Sequence, residues 1–387
     1  MGEYLFITGM GRSGTTLLEK ILCNHPQASV LSQPFPLVLV EAKRAFLAGL
    51  GCSDVVYPLS HYFMEACRYS TEEVTSFLTR YDLGAEKIHA LFEQMKDYSG
   101  QAHKPPDLEK RLSRVVGGPF GEVVKRLLYT LRHRDDARLF GSKEMHAEEF
   151  WPFFLGCGFK CLGIVRDPRD VIASMIFGRG PQYAGRIRPT LFYVRNWRKS
   201  VAFMLHLAEH PGFLWIRYED LAQQPEAILC RIGAFLNLEN LEQTVREPLR
   251  DQAGAIWKGN SSFRDYEAIV GASVGGYRQV LPAATRAYIE GCCFPEMQAL
   301  GYPCPDHPEL AEHVLRAYEE PISVTRPEFA PGYSSSPEHV RQEVDRLRVL
   351  AQPHRGADAA RYVLSPKVHA MLASAVGAAS DGKTALR

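Results

Sequence analysis

The feature that most constrains the fold lies near the start of the chain, in "YLFITGMGRSGTTLLEKIL" beginning at Tyr4. The apolar run Tyr4 to Ile7 ends in glycines, Gly9 and Gly14 are separated by four residues, and apolar residues then recur at helical spacing. A strand, a glycine-rich turn and a helix in that order point backbone N–H groups and the positive end of a helix dipole at one place, which makes an anion cradle. An ATP-binding loop of this spacing carries a lysine after its second glycine, to reach the β- and γ-phosphates. Here Thr15 stands at that position and Arg12 sits inside the loop. The cradle keeps two hydroxyls and the dipole but has no grip on a γ-phosphate. It suits a nucleotide with a single 5′-phosphate that carries a transferable group, with Arg12 steadying charge on the bridging oxygen.

Three further apolar runs end in polar residues: "ARLFGSKE" (Ala137 to Glu144), "FKCLGIVRD" (Phe159 to Asp167) and "GFLWIRYED" (Gly212 to Asp220). The last two are nearly continuous, as strands buried on both faces require. Helical patterns follow them, "DPRDVIASMIFG" with Asp-Pro at its start and Gly at its end, and "PEAILCRIGAFLNL". The expected fold is α/β, a P-loop-type three-layer arrangement with a central parallel sheet. Ligands of such sheets sit beyond the carboxyl ends of the strands. Gly9 to Thr16, Lys143, Arg166 and Tyr218 to Asp220 are therefore expected on one rim. Residues 26–136 read as a mostly helical insertion without a parallel-strand signal, and residues 303–387, rich in proline and polar residues, as a C-terminal appendage.

Composition narrows the class. A net charge of +1 offers nothing to bulk nucleic acid or an anionic membrane, so any anion site is local. Nine scattered cysteines, an odd number without a CxxC, fit a reducing cytoplasm. The N-terminus leads straight into a predicted strand, which is not a signal pattern. The apolar stretch "PFPLVLVEAKRAFLAGLG" is interrupted by Glu41, Lys43 and Arg44 and reads as an amphipathic helix rather than a membrane span.

"GMGRSGTTLLEKIL" resembles the 5′-phosphosulfate loop of sulfotransferases that use 3′-phosphoadenosine 5′-phosphosulfate (PAPS), and its arginine is closer to the tyrosylprotein, carbohydrate and bacterial branches than to the cytosolic aryl branch. In "IVRDPRDVIASM", Arg166 closes a strand and Ser174 follows on the next helix, so that guanidinium and hydroxyl could share one phosphate. This resembles the family's 3′-phosphate motif. The resemblance implies that Arg12, Ser13, Gly14, Thr15 and Thr16 bind the 5′-phosphosulfate and that Arg166 and Ser174 bind the 3′-phosphate. Asp167, Pro168 and Asp170 are expected to shape the turn and cap the helix. "WKGNSSFRDY" resembles the late loop over the nucleotide, which makes Lys258, Gly259 and Asn260 candidates for the 3′-phosphate or adenine; an ordinary polar turn is the alternative. "IRYEDLAQQPEAIL", with Tyr218 and Glu219 as structural residues, and "YIEGCCFPEMQALGY" extend the likeness to about residue 302.

The implied reaction is in-line sulfuryl transfer to a hydroxyl or amine, with cations and dipoles stabilising the bridging oxygen and no metal required. Lys143 resembles a family lysine in a Lys-x-Pro context, although Glu144 and Met145 follow it here; it is a candidate electrostatic helper, with a salt bridge to Glu144 or Glu148 as the alternative. The tyrosylprotein branch has a glutamate base downstream of its loop, where this chain offers Gln33, which cannot be one. Glu41 and His61 are the candidate bases, and His61 is preferred, also over His103 and His146, because imidazole titrates near neutrality. The acceptor has no signature, and a small molecule or carbohydrate is expected rather than a protein. No nucleic-acid partner is expected, and a homo-oligomer is allowed. Two rival readings are a P-loop small-molecule kinase and a non-catalytic nucleotide-binding protein.

Overall fold

The computed structural model describes residues 2–52, 69–95, 107–178, 188–252, 254–259, 274–304, 312–322, 337–350, 352 and 362–381. The described residues of Met1–Val165 and Leu207–Ser261 form one compact unit, and those of Arg166–His206 and Ala272–Arg387 form another.

The first unit is built on a parallel sheet. Strands β1 (Glu3–Thr8), β2 (Ala28–Ser32), β5 (Leu139–Lys143), β6 (Lys160–Val165) and β7 (Phe213–Arg217) lie in the order β2-β5-β1-β6-β7. The four apolar runs of the sequence are thus β1, β5, β6 and β7. β1 is central, with Ile7 opposite Lys143 on one side and Leu162 on the other. Leu5, Phe6 and Ile7 are fully buried, as successive residues of a strand covered on both faces must be. Phe6 meets Phe154 with ring centroids 4.4 Å apart, within a group of aromatic side chains that includes Phe120, Phe150 and Phe153.

β2 corrects the expectation that residues 26–136 lack a parallel strand: "ASVLS" pairs with β5 from Ala28–Leu139 to Ser32–Lys143. Two of its five residues are serines, so no continuous apolar run announces it, yet all five are buried. The rest of the segment's described elements are α2 (Pro36–Gly49), α3 (Thr71–Arg80), α4 (Ala85–Met95), α5 (Leu108–Leu112), α6 (Phe120–Leu131) and a two-residue ladder of β3 (Asp82–Leu83) with β4 (Gly118–Pro119). Helices α1 (Thr15–Asn24), α7 (Trp151–Gly156), α10 (Tyr218–Gln223) and α11 (Pro225–Leu236) complete this unit.

The second unit is helical: α8 (Pro168–Phe177), α9 (Thr190–Leu207), α12 (Tyr277–Val280), α13 (Ala283–Ala299), α14 (Glu312–Ala317), α15 (Pro337–Leu350) and α16 (Pro366–Asp381). Its described C-terminal residues are tied into it by buried polar contacts. Glu343 of α15 accepts from Arg195 Nε at 2.8 Å and Arg198 Nη1 at 2.6 Å, both on α9, while Arg346 pairs with Glu296 of α13. Tyr318 stacks on Tyr288 with centroids 3.8 Å apart, and Glu320 accepts from Thr190 N at the start of α9. No helix among the described residues is long and apolar enough to cross a membrane.

Candidate active site

The glycine-rich loop leaves β1 and enters α1 through two left-handed residues, Arg12 (φ 72°) and Gly14 (φ 101°). Gly14 precedes α1 and has no side chain to cap the helix start, the end of a helix that favours an anion. A Cβ on Gly14 would lie 2.6 Å from Tyr218 Cδ2, and one on Gly9 2.8 Å from Ile164 O. Gly9 is therefore demanded by close approach, and Gly14 by close approach and by its left-handed backbone. Tyr218 acts as the wall of the loop, the structural part expected of it. Ser13, Thr15 and Thr16 are buried around the turn, and Ser13 Oγ has no hydrogen-bond partner among the described residues. Residues 12–16 thus form one tight turn into the start of α1.

β5 delivers the next groups. Its register with β1 places Lys143 beside Ile7, one residue short of the loop's approach, and beside Ser32 at the end of β2. Lys143 is fully buried and its Nζ has no hydrogen-bond partner among the described residues. It is therefore in neither of the salt bridges, with Glu144 or Glu148, that are its alternative reading. Burial pushes its ammonium down to about 8, against the opposing pull of Glu19 and Glu144. Burial also pushes the neighbouring Glu144 carboxyl up, although it accepts from Phe35 N at 3.3 Å. Past the strand, Glu144 N donates to Ile7 O at 2.9 Å and Ala147 N donates to Thr8 Oγ1 at 3.0 Å. Between them His146 turns through the left-handed region (φ 57°), donates its N–H to Gly9 O at 3.1 Å and accepts from Gly11 N through Nε2 at 3.4 Å. The strand-end segment thus brings an imidazole to the loop and ends in a lysine beside the last residues of β1. Sequence alone favours His61 over His146, whose signal is its place just past an expected strand end, at the rim where ligands of parallel sheets lie.

Glu41, on α2, is engaged by Lys87 at 3.0 Å and Arg44 at 3.4 Å. His61 and His103 lie outside the described residues, as does Asn260. Gln33, at the end of β2, adopts φ 44° and donates its N–H to Lys143 O at 2.7 Å, which holds the β2 end against β5.

The late loop is anchored on α1. Gln252 Nε2 donates to Glu19 Oε1 at 2.6 Å and its Oε1 accepts from Lys20 Nζ at 2.8 Å, while the Asn24 side chain bonds the Arg250 backbone at 2.8 and 3.0 Å. From this anchor the chain runs to the exposed Lys258 and to Gly259, whose φ of 84° requires a glycine or its equivalent.

In the second unit, Arg166 follows β6 directly and its carbonyl accepts from Trp197 Nε1 at 2.8 Å. Ser174 is buried on α8. Asp167 caps α8 as expected, accepting from Arg169 N at 2.9 Å. Asp170 does not cap it: its carboxylate accepts instead from Gly275 N at 2.7 Å and Tyr277 N at 2.8 Å, and Arg166 Nη2 lies 3.5 Å from it. An Asp in the first turn of a helix looks like a cap from sequence alone, and only the return of a distant segment reveals its partners.

A strand–loop–helix cradle at the carboxyl end of a parallel sheet, fed by charged residues from the adjacent strand end, defines an α/β protein of the P-loop type. Residues 3–267 match the family model of the sulfotransferase domain. The chain belongs to that family, the one its two motifs resemble, and is a sulfotransferase. No curated protein matches the sequence. Among solved structures it is similar to the sulfotransferase domain from the curacin biosynthetic pathway (20% identity over 79% of this chain and 99% of that one, TM-score 0.44). It is also similar to the sulfotransferase domain of the Synechococcus PCC 7002 olefin synthase (20% identity, 78% and 96%, TM-score 0.46). A third likeness is to retinol dehydratase in complex with retinol and PAP (16% identity, 76% and 81%, TM-score 0.36). At these scores it is the family model that carries the assignment.

Proposed function

We propose that this sulfotransferase takes its sulfuryl group from PAPS and passes it to a hydroxyl or amine of a small-molecule or carbohydrate acceptor, without a metal. The observation that carries the reading is the loop itself: a left-handed Arg12–Gly14 turn that opens a helix without a side-chain cap and lacks the lysine of an ATP loop. The backbone N–H groups of the loop, with Ser13, Thr15 and Thr16, receive the 5′-phosphosulfate. Arg166 and Ser174 are assigned the 3′-phosphate, and Lys258, Gly259 and Asn260 the 3′-phosphate or adenine.

In the transfer, the acceptor oxygen or nitrogen forms a bond to sulfur as the bond from sulfur to the bridging oxygen breaks, and adenosine 3′,5′-bisphosphate leaves. Negative charge grows on the bridging oxygen, where Arg12 and Lys143 supply positive charge and the α1 dipole adds to it. The acceptor's proton goes to a base, for which His146 is favoured over Glu41 because it already touches the loop while Glu41 is held by two cations. An anion that takes the Gly11 N–H would compete for the hydrogen bond that His146 Nε2 accepts there, which ties the imidazole to donor binding.

Isothermal calorimetry with adenosine 3′,5′-bisphosphate in excess chelator is expected to show binding; its absence overturns the reading, whereas tight magnesium-dependent ATP binding would favour the kinase alternative. His146→Asn is expected to reduce turnover about 10²- to 10⁴-fold, the usual contribution of a general base, with bisphosphate affinity retained. Full turnover in that variant, with loss in His61→Ala, returns the base to His61.

A further inference from the structure

Asp170 is a carboxylate for which the reaction described above has no direct use. It is almost fully buried, on α8 between Arg166 and Ser174 in sequence and four residues from each. Asp170 and Ser174 share a face of α8, and Arg166 immediately precedes the helix cap. Three donors meet it. Gly275 N at 2.7 Å and Arg166 Nη2 at 3.5 Å address Oδ2, and Tyr277 N at 2.8 Å addresses Oδ1. Two of the three are backbone amides at the start of α12, so they fix the plane and position of the carboxylate without side-chain freedom. The carboxylate in turn faces the guanidinium, while the Arg166 carbonyl is held from α9 by Trp197 Nε1 at 2.8 Å. Arg166 is thereby restrained at its backbone and at its charged end by groups that all belong to the second unit.

We propose that Asp170 is a positioning residue for Arg166: pinned by the Gly275 and Tyr277 amides, it orients the guanidinium toward the 3′-phosphate of the donor. The inference rests on Arg166 holding that phosphate. A free arginine surrenders several rotatable bonds on binding, and one already aimed surrenders fewer, so the benefit appears in affinity for the 3′-phosphate and nowhere else.

The test compares adenosine 3′,5′-bisphosphate with adenosine 5′-monophosphate, which lacks the 3′-phosphate, on wild type, Asp170→Asn, Arg166→Ala and the double variant, with a melting temperature for each. Asp170→Asn is expected to bind the bisphosphate about tenfold more weakly, the scale of one charge-assisted hydrogen bond. Monophosphate affinity is expected to stay unchanged, and in the Arg166→Ala background Asp170→Asn is expected to add no further loss. In turnover, KM for PAPS rises and kcat does not fall. Unchanged bisphosphate affinity in Asp170→Asn overturns the proposal. Equal weakening of both nucleotides, or the same loss in the Arg166→Ala background, also overturns it, since Asp170 would then be a general prop. Equal affinity of wild type for the two nucleotides removes the 3′-phosphate from Arg166 and overturns the underlying assignment instead. Should Asp170→Asn not fold, Asp170→Ser, which can still accept from a backbone amide but carries no charge, takes its place.

Discussion

Lys143 illustrates what a single residue owes to its surroundings. From sequence it is one of many lysines and has an ordinary salt-bridge explanation. Buried at the end of β5 without a hydrogen-bond partner among the described residues, it is a desolvated cation one strand from the phosphate loop. Burial lowers its pKa from 10.5 to about 8, so the ammonium is present below that pH and is lost above it. KM for PAPS is expected to rise as pH passes upward through about 8, and Lys143→Arg, whose guanidinium does not titrate there, is expected to flatten the profile. A profile in Lys143→Arg that matches wild type would remove Lys143 from the charges that meet the donor. His146 makes the same point about rank: "GSKEMH" shows a histidine near a strand end, but its contact with Gly11 depends on a left-handed turn that no local pattern in that hexapeptide announces.

At the scale of elements, the β1–loop–α1 unit was the most legible part of the chain, because its constraints are local. Glycines, a short apolar strand and a helical repeat are contiguous in sequence. Gly14 joins this local demand to a packing one, since its positive φ and the Tyr218 ring each oppose a side chain. Gly14→Ala is expected to cost ~1–2 kcal/mol for the left-handed backbone alone, with a further penalty for the contact at Tyr218, and to abolish bisphosphate binding. A thermal melt together with calorimetry checks this, and a variant that melts and binds like wild type would show that the turn relaxes without it. β2 was illegible for the complementary reason. A five-residue run with two serines becomes a strand because β5 offers it an open edge, not because of its own composition. Asp170 belongs with it, an apparent cap whose partners lie more than a hundred residues away.

At the scale of the molecule, residues 303–387 have the composition of an appendage, yet α15 within them shares a buried polar network with α9 and α13. Removing one partner of such a network strands the others. Glu343→Ala leaves Arg195 and Arg198 buried without their carboxylate and is expected to destabilise the protein by ~3–5 kcal/mol. Urea denaturation followed by circular dichroism measures this; a loss below ~1 kcal/mol would place the network among interactions that merely decorate the fold.

The sequence by itself determined the sheet class, four of its five strands, the phosphate loop and the two motifs that mark a sulfotransferase, because each is encoded in contiguous residues whose spacing is set by backbone geometry. Tertiary structure alone decided the fifth strand, the burial that tunes Lys143, the approach of His146 to the loop and the partners of Asp170. Each of those depends on which distant segment returns to complete an edge, exclude water or supply a donor, and that is a property of packing rather than of local pattern.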